Sequence, residues 1–187
     1  MDAELERMKG HLAFLWQIIG YYKVLYNDAE TVDFLNKVSP DFFRSFQVLC
    51  WDRFVLTFSS LIDGDERVES IVNFDKANRE ALDDQKSAKM DQLLTQLREL
   101  AKPFLKARNN IIAHTSVKAA EMGAIYFTIA DAERIWLKAV ECLSMYGRDF
   151  EVILKGGLQD TGPGARALLN YLRVSRLLED RLEREGR

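Results

Sequence analysis

Within the run Arg-Asn-Asn-Ile-Ile-Ala-His, residues Arg108, Asn109, Asn110 and His114 bring together the side chains best suited to chemistry. The arginine is out of place. At about 100° per residue, Met90, Leu93, Leu94, Leu97, Phe104, Leu105, Ile111 and Ile112 share one face of a long helical run starting near Asp84, and Arg108 falls in the midst of that face. A guanidinium stays ionised and carries five donors, so one that faces a core needs a carboxylate or an anionic ligand such as phosphate. His114 is one of two histidines, the other being His11, so proton transfer near neutral pH has few places to occur. On an ideal helix His114 lies about 240° round from Arg108, so a composite site joins the two more easily than one straight helix does.

Other chemistries lack their residues. The chain has no Gly-x-Ser-x-Gly elbow, no His-Glu-x-x-His, no dinucleotide fingerprint and no Cys/His set at ligand spacing, so neither a metal nor a cofactor is expected. Cys50 and Cys142 lie in apolar runs and read as buried free thiols, in keeping with a reducing cytoplasm. A formal net charge of -3 means that any nucleic-acid contact depends on a local basic patch. Arg98, Lys102 and Lys106 recur every four residues on the outer side of the long helix, either as a row that tracks phosphates or as a solvated face.

The elements that must hold these residues are helical. Three prolines and ten glycines in 187 residues, with Leu, Ala, Glu, Lys and Arg abundant, favour an all-α fold in a single domain, 1–187. Asp2 to Tyr26 carries one apolar stripe and, in its second half, another formed by Phe14, Ile18, Tyr21 and Leu25, to be covered by other helices or by a second subunit. His11 reads as a surface or interface histidine. Acidic residues at the start, and Gln17 and Gly20 within the apolar patch, speak against a signal peptide or a membrane span.

A short helix from Glu30 to Val38 stops before Ser39-Pro40, and Asp41 to Ile62 is apolar almost all round, so it is expected to be the central buried helix. Its exceptions, Ser45, Asp52 and Ser59, repeat every seven residues, and Asp63 extends the row. That row either makes local bonds and a turn at Asp63-Gly64-Asp65 or faces Arg108. Glu66 to Arg79 is expected to be a polar, peripheral helix and Gln85 to Ala88 a solvated connection. Pro103 removes one donor from the long helix and is expected to bend it ahead of Arg108.

Thr115 to Phe127 reads as a loop closing over the site. Thr128 and Asp131 have the spacing of a cap for a fourth core helix, whose apolar face runs from Ala132 to Ile153 and ends at Gly156-Gly157. The glycines from Gly156 to Gly164 are turn residues rather than a phosphate loop. A last helix, Ala165 to about Leu182, frays into a charged tail.

Arg108-Asn109 followed by His114, on the third of four core helices, resembles the Arg-x(4 to 6)-His signature of the HEPN superfamily, in which a polar residue follows the arginine. The long helix ending in Arg-Asn-Asn-Ile-Ile-Ala-His and the earlier one running into Ser-Ser-Leu-Ile-Asp are similar to the abortive-infection U-type branch. The resemblance covers roughly Phe42 to Phe150. It implies a four-helix up-down bundle core with extra peripheral and C-terminal helices, a symmetric homodimer whose two motifs face each other, and metal-independent RNA cleavage.

That chemistry suits the residues, since RNA can be cut when its 2′-hydroxyl is deprotonated and attacks the neighbouring phosphate while an acid protonates the leaving 5′-oxygen. The expectation is a cytoplasmic endoribonuclease of toxin or phage-defence type. Arg108, His114 and Asn109 would be catalytic, with Asn110, Lys106, Lys102, Asp52 and Ser59 on the substrate. RNA, a second copy and an antitoxin protein are the expected partners, and neither DNA nor a membrane is. Two alternatives stay open: a nucleotide-binding bundle that uses Arg108 for a phosphate, and a protein-interaction bundle in which Arg108 pairs with Asp52 or Asp63.

Overall fold

A computed structural model describes residues 2–113, 128–147 and 163–185, leaving aside the side chains of Asp2, residues 110–113 and Pro163. The fold is all-α. Among the described residues the helices are α1 (Asp2–Tyr26), α2 (Ala29–Val38), α3 (Pro40–Leu61), α4 (Ile71–Asn78), α5 (Asp84–Ala113), α6 (Ile129–Ser144) and α7 (Pro163–Glu185), with a 3-10 turn at Arg79–Ala81.

Four helices surround the main core. α1 packs against α3 and α6, and α5 packs against the same two from the other side. The stripes that draw them together are those of the sequence: Leu5, Met8, Leu12, Leu15 and Ile19 on α1 and Met90, Leu93, Leu94, Leu97 and Phe104 on α5 are buried. Phe54 and Phe58 of α3 meet Phe104 of α5 with ring centroids 5.8 and 6.0 Å apart, contacts worth about 0.5–1.5 kcal/mol each beyond the area they bury. Trp136 of α6 lies 4.4 Å from the ring of Trp16, and its Nε1 donates to the Leu12 carbonyl at 2.7 Å in the interior. Truncating Trp136 to alanine would cost about 3–5 kcal/mol. A second cluster, Leu25, Leu35, Phe43, Ala165 and Leu169, ties α7 to α1, α2 and the start of α3. The second stripe of α1 is thus covered by helices of its own chain: Ile18 and Leu25 are buried, and Phe14 is left at the surface beneath the Arg53 guanidinium.

Several expectations are corrected. α3 is not buried all round, because Phe42, Val48 and Leu49 of its first half are exposed; apolar character alone does not say which faces the chain itself covers. α4 is shorter than the expected Glu66 to Arg79 and is not peripheral, since Ile71, Val72, Phe74 and Asp75 are buried. The Asp75 carboxylate is satisfied there by Tyr146 and Arg79, which is what lets a charged residue enter the core. Gln85 to Ala88 is the first turn of α5 rather than a connection, capped by Asp83, whose carboxylate accepts from the Lys86 amide at 2.8 Å.

α5 continues through Pro103. α6 begins as expected, with a reciprocal capping box in which Thr128 accepts from the Asp131 amide and Asp131 accepts from that of Thr128. It ends at Ser144, well before Gly156. Three-residue bonds from Met145 to Cys142 and from Tyr146 to Leu143 tighten its end there. Thr115 to Phe127 and Gly156 to Gly162 fall outside the described residues.

Candidate functional site

Arg108 lies one turn beyond Phe104 on the buried side of α5, opposite the end of α3. Leaving α3 at Leu61, the chain turns at Asp63, four residues past Ser59. The two elements meet through Arg108 Nη1 and Asp63 Oδ2, 3.1 Å apart. The pair is not sealed: the side chains retain 30% and 29% of their exposure. Asp63 has a second task, because its Oδ1 accepts from the Asp65 amide at 3.0 Å, so one carboxylate both shapes the turn and orients the guanidinium. Both readings of the polar row are therefore realised at Asp63.

One polar atom on each of these elements lacks a partner among the described residues. Arg108 Nε and Ser59 Oγ are buried and make no hydrogen bond among the described residues. Ser59 is fully enclosed. Unmade hydrogen bonds of buried groups cost about 1–3 kcal/mol each, so each of these atoms calls for a partner that the described residues do not supply. The polar row as a whole goes from surface to interior: Ser45 is exposed, Asp52 half-buried and engaged, Ser59 buried.

The other expected site residues divide. Asn109 is exposed beside Arg108 on α5. Asn110 belongs to α5 by its backbone, while its side chain and the whole of His114 lie outside the described residues. Lys102 and Lys106 are exposed, and Lys102 bridges to Glu99. They are not gathered with Arg108, because separations of six and two residues put them about 240° and 200° round the helix from it. Their row is the solvent face of α5.

One arrangement was missed. His11 is exposed, as expected, yet it lines a cleft of about 190 Å³ with Arg53, Thr57, Ser60 and Glu69. Arg53, Thr57 and Ser60 stand four and three residues apart, a helical spacing visible in the sequence, but nothing there reveals that α1 brings a histidine alongside.

The thiols take no part. Burial pushes Cys50 up to about 11 and Cys142 up to about 12, so both stay protonated and unreactive at neutral pH. Among the described residues, no group of three or more His, Cys, Asp or Glu is placed to hold a metal ion. No helix among them is long and apolar enough to cross a membrane.

The family model HEPN_AbiU2, described as AbiU2, matches residues 2–152. The chain belongs to the HEPN AbiU2 family. The match takes in α1 to α6, with Arg108, Asp63 and His114, and leaves α7 beyond its end. No curated protein and no solved structure matches. Within this HEPN domain, the arginine that follows the apolar stripe of α5 is the one that leads the Arg-Asn-x-x-x-x-His motif.

Proposed function

We propose that this HEPN domain is a metal-independent endoribonuclease of toxin or phage-defence type, acting in the cytoplasm at a site shared between two copies of the chain. The observation that carries the reading is the Arg108 guanidinium, held at the edge of the core by a bond to Asp63, with a buried Nε that no described residue engages and almost a third of the side chain open to solvent. An RNA phosphate fits what is left over.

His114 follows directly on the last residue of α5. Each chain supplies one such histidine, so a two-fold pairing of the motifs provides two. One imidazole takes the proton of the 2′-hydroxyl, and its oxygen bonds to the adjacent phosphorus. The bond to the 5′-oxygen breaks, and that oxygen receives a proton from the second imidazole. The products are a 2′,3′-cyclic phosphate and a free 5′-hydroxyl. Arg108 stabilises the charge on the phosphorane, and Asn109 and Asn110 orient phosphate or imidazole. An antitoxin protein is the expected regulator.

A second reading rests on the same pair. In a purely protein-interaction bundle, Arg108 and Asp63 fasten α3 to α5 and need no ligand. The test is incubation of the purified protein with mixed RNA and a chelator, beside His114→Ala. Cleavage by the wild type and its loss in the variant support the nuclease; intact RNA in both samples, with the variant folded, supports the bundle.

A further inference from the structure

α1 and α3 run antiparallel, and their register brings cationic side chains to one cleft. Tyr22 of α1 accepts from Gln47 of α3 at 2.8 Å and its ring lies 4.8 Å from that of Trp51. Two turns earlier on α1, Phe14 meets Arg53, whose guanidinium carbon stands 5.5 Å from the ring centre. His11, one turn before Phe14, therefore falls beside Thr57 and Ser60. These residues line the cleft of about 190 Å³, with Leu56 and Leu61 as its apolar wall and Glu69 at its border.

We propose that this cleft binds the terminal phosphate of a small phosphomonoester, with Arg53, His11 and Thr57 as its donors. Free donors are the first argument. Stacking on Phe14 engages the flat face of the Arg53 guanidinium and leaves its N–H edge open, and Arg53 makes no hydrogen bond or ion pair among the described residues. The Thr57 hydroxyl is also without a partner among them, whereas Ser60 already donates to the Leu56 carbonyl at 3.1 Å. The amides of this part of α3 are used within the helix, so the donors must be side chains.

Charge is the second argument. Glu69, the carboxylate of the cleft, accepts from Arg7 Nε at 2.8 and 3.0 Å, so it is neutralised from outside and Arg53 keeps a surplus positive charge for an anion. A phosphomonoester carries about -1.5 to -2 and three acceptor oxygens, which matches three donors better than the single charge and two free oxygens of a diester. Size and surroundings are the third. The cleft has the volume of about six water molecules, room for one phosphate, and the larger cleft that shares Glu69 with it is bordered by Glu4 and Glu66, which repel the next phosphates of a strand.

This site is separate from that of Arg108, and the inference does not rest on the nuclease reading. The cleft lies where α3 faces α1, Arg108 lies where the turn after α3 faces α5, and no residue serves both.

The test is a titration of the full chain, labelled with nitrogen-15, with methyl phosphate at pH 7 and constant ionic strength, read from its amide shifts. Saturable shifts centred on His11 and Thr57 are expected. Arg53→Gln weakens the binding by at least about tenfold, while Arg98→Gln, which removes the same charge from the solvent face of α5, leaves it unchanged. Both arginines are exposed, so circular dichroism should show folded variants; if Arg53→Gln loses helix, Thr57→Val is read instead and weakens binding several-fold. Shifts that do not saturate, or that survive Arg53→Gln, overturn the site. Equal affinity for dimethyl phosphate overturns the monoester, and tighter binding of a 5′-phosphorylated 2′-O-methyl tetranucleotide overturns the small ligand in favour of a strand end. Shifts lost in Arg108→Gln but kept in Arg53→Gln place the anion at Arg108, which overturns this inference and leaves the nuclease reading intact.

Discussion

Arg108 and Asp63, 45 residues apart in sequence, share a single hydrogen bond at 3.1 Å, and Asp63 uses its other oxygen on the backbone of its own turn. The carboxylate is thus held independently of the arginine. Because both side chains stay about 30% exposed, solvent screens the pair, and a double-mutant cycle with Arg108→Ala and Asp63→Ala in urea is expected to give a coupling of about 0.5–1 kcal/mol. Asp63→Ala alone costs more than Arg108→Ala, since it also removes the acceptor of the Asp65 amide. Asp63→Asn, which keeps an acceptor, costs less than either.

The buried Asp75 is the stability-critical carboxylate. It accepts from Tyr146 and pairs with Arg79 while 3% exposed, so Asp75→Ala leaves the Tyr146 hydroxyl without its acceptor, while Arg79 keeps Asp91 and Ser87, and is expected to cost about 1–3 kcal/mol, with Tyr146→Phe costing about 1–2 kcal/mol. Chemical denaturation measures both. Burial, and then the hydrogen bond to Asp75, raise the ionisation of Tyr146 well above the usual tyrosine range. In an ultraviolet titration, Tyr146 therefore ionises late in the wild type and earlier in Asp75→Asn.

The capping box of α6 should titrate. Bonds from the Thr128 amide and hydroxyl hold the Asp131 carboxyl below its ordinary value, so its folded pKa is depressed. Its contribution is present above the unfolded carboxyl pKa of about 3.9 and is lost as pH falls through the folded value. At pH 7, Asp131→Ala is expected to destabilise by about 1 kcal/mol. The gap between variant and wild type narrows below about pH 4, as thermal melts across that range will show.

Cys50 and Cys142 are both buried, and burial raises both thiols. A disulfide reagent at pH 8 is expected to react with neither on the time scale of minutes and with both at once in denaturant. Rapid labelling of the native protein would place a thiol at the surface.

Much of this was legible in the sequence where the cause is local or periodic. Thr128 and Asp131 sit three residues apart and interact within one turn, so their cap was readable outright. Arg108 showed itself as the one charge in an apolar stripe. Its partner was readable only as a choice, because the seven-residue row through Ser59 gives a direction but not which helix lies there. The burial of α4 was hidden: eight residues are too few for a period to stand out, and Asp75 looks like a surface residue until Tyr146 arrives from the turn after α6. The exposed Phe42, Val48 and Leu49 were misread for the opposite reason, since an apolar face at the surface has the same composition as one packed in a core. The His11 cleft depends on how α1 and α3 pack, which no local pattern records.

Binding of an RNA oligonucleotide with 2′-O-methyl riboses, which cannot be cut, tests most directly whether Arg108 is kept for an anion. Wild type, Asp63→Asn and Arg108→Gln are compared at about 0.15 M salt by fluorescence anisotropy. If the arginine serves a phosphate, removing its competing carboxylate tightens binding several-fold and removing the guanidinium weakens it by at least tenfold. Equal affinity in all three folded proteins would contradict this and leave the pair as a clasp between α3 and α5.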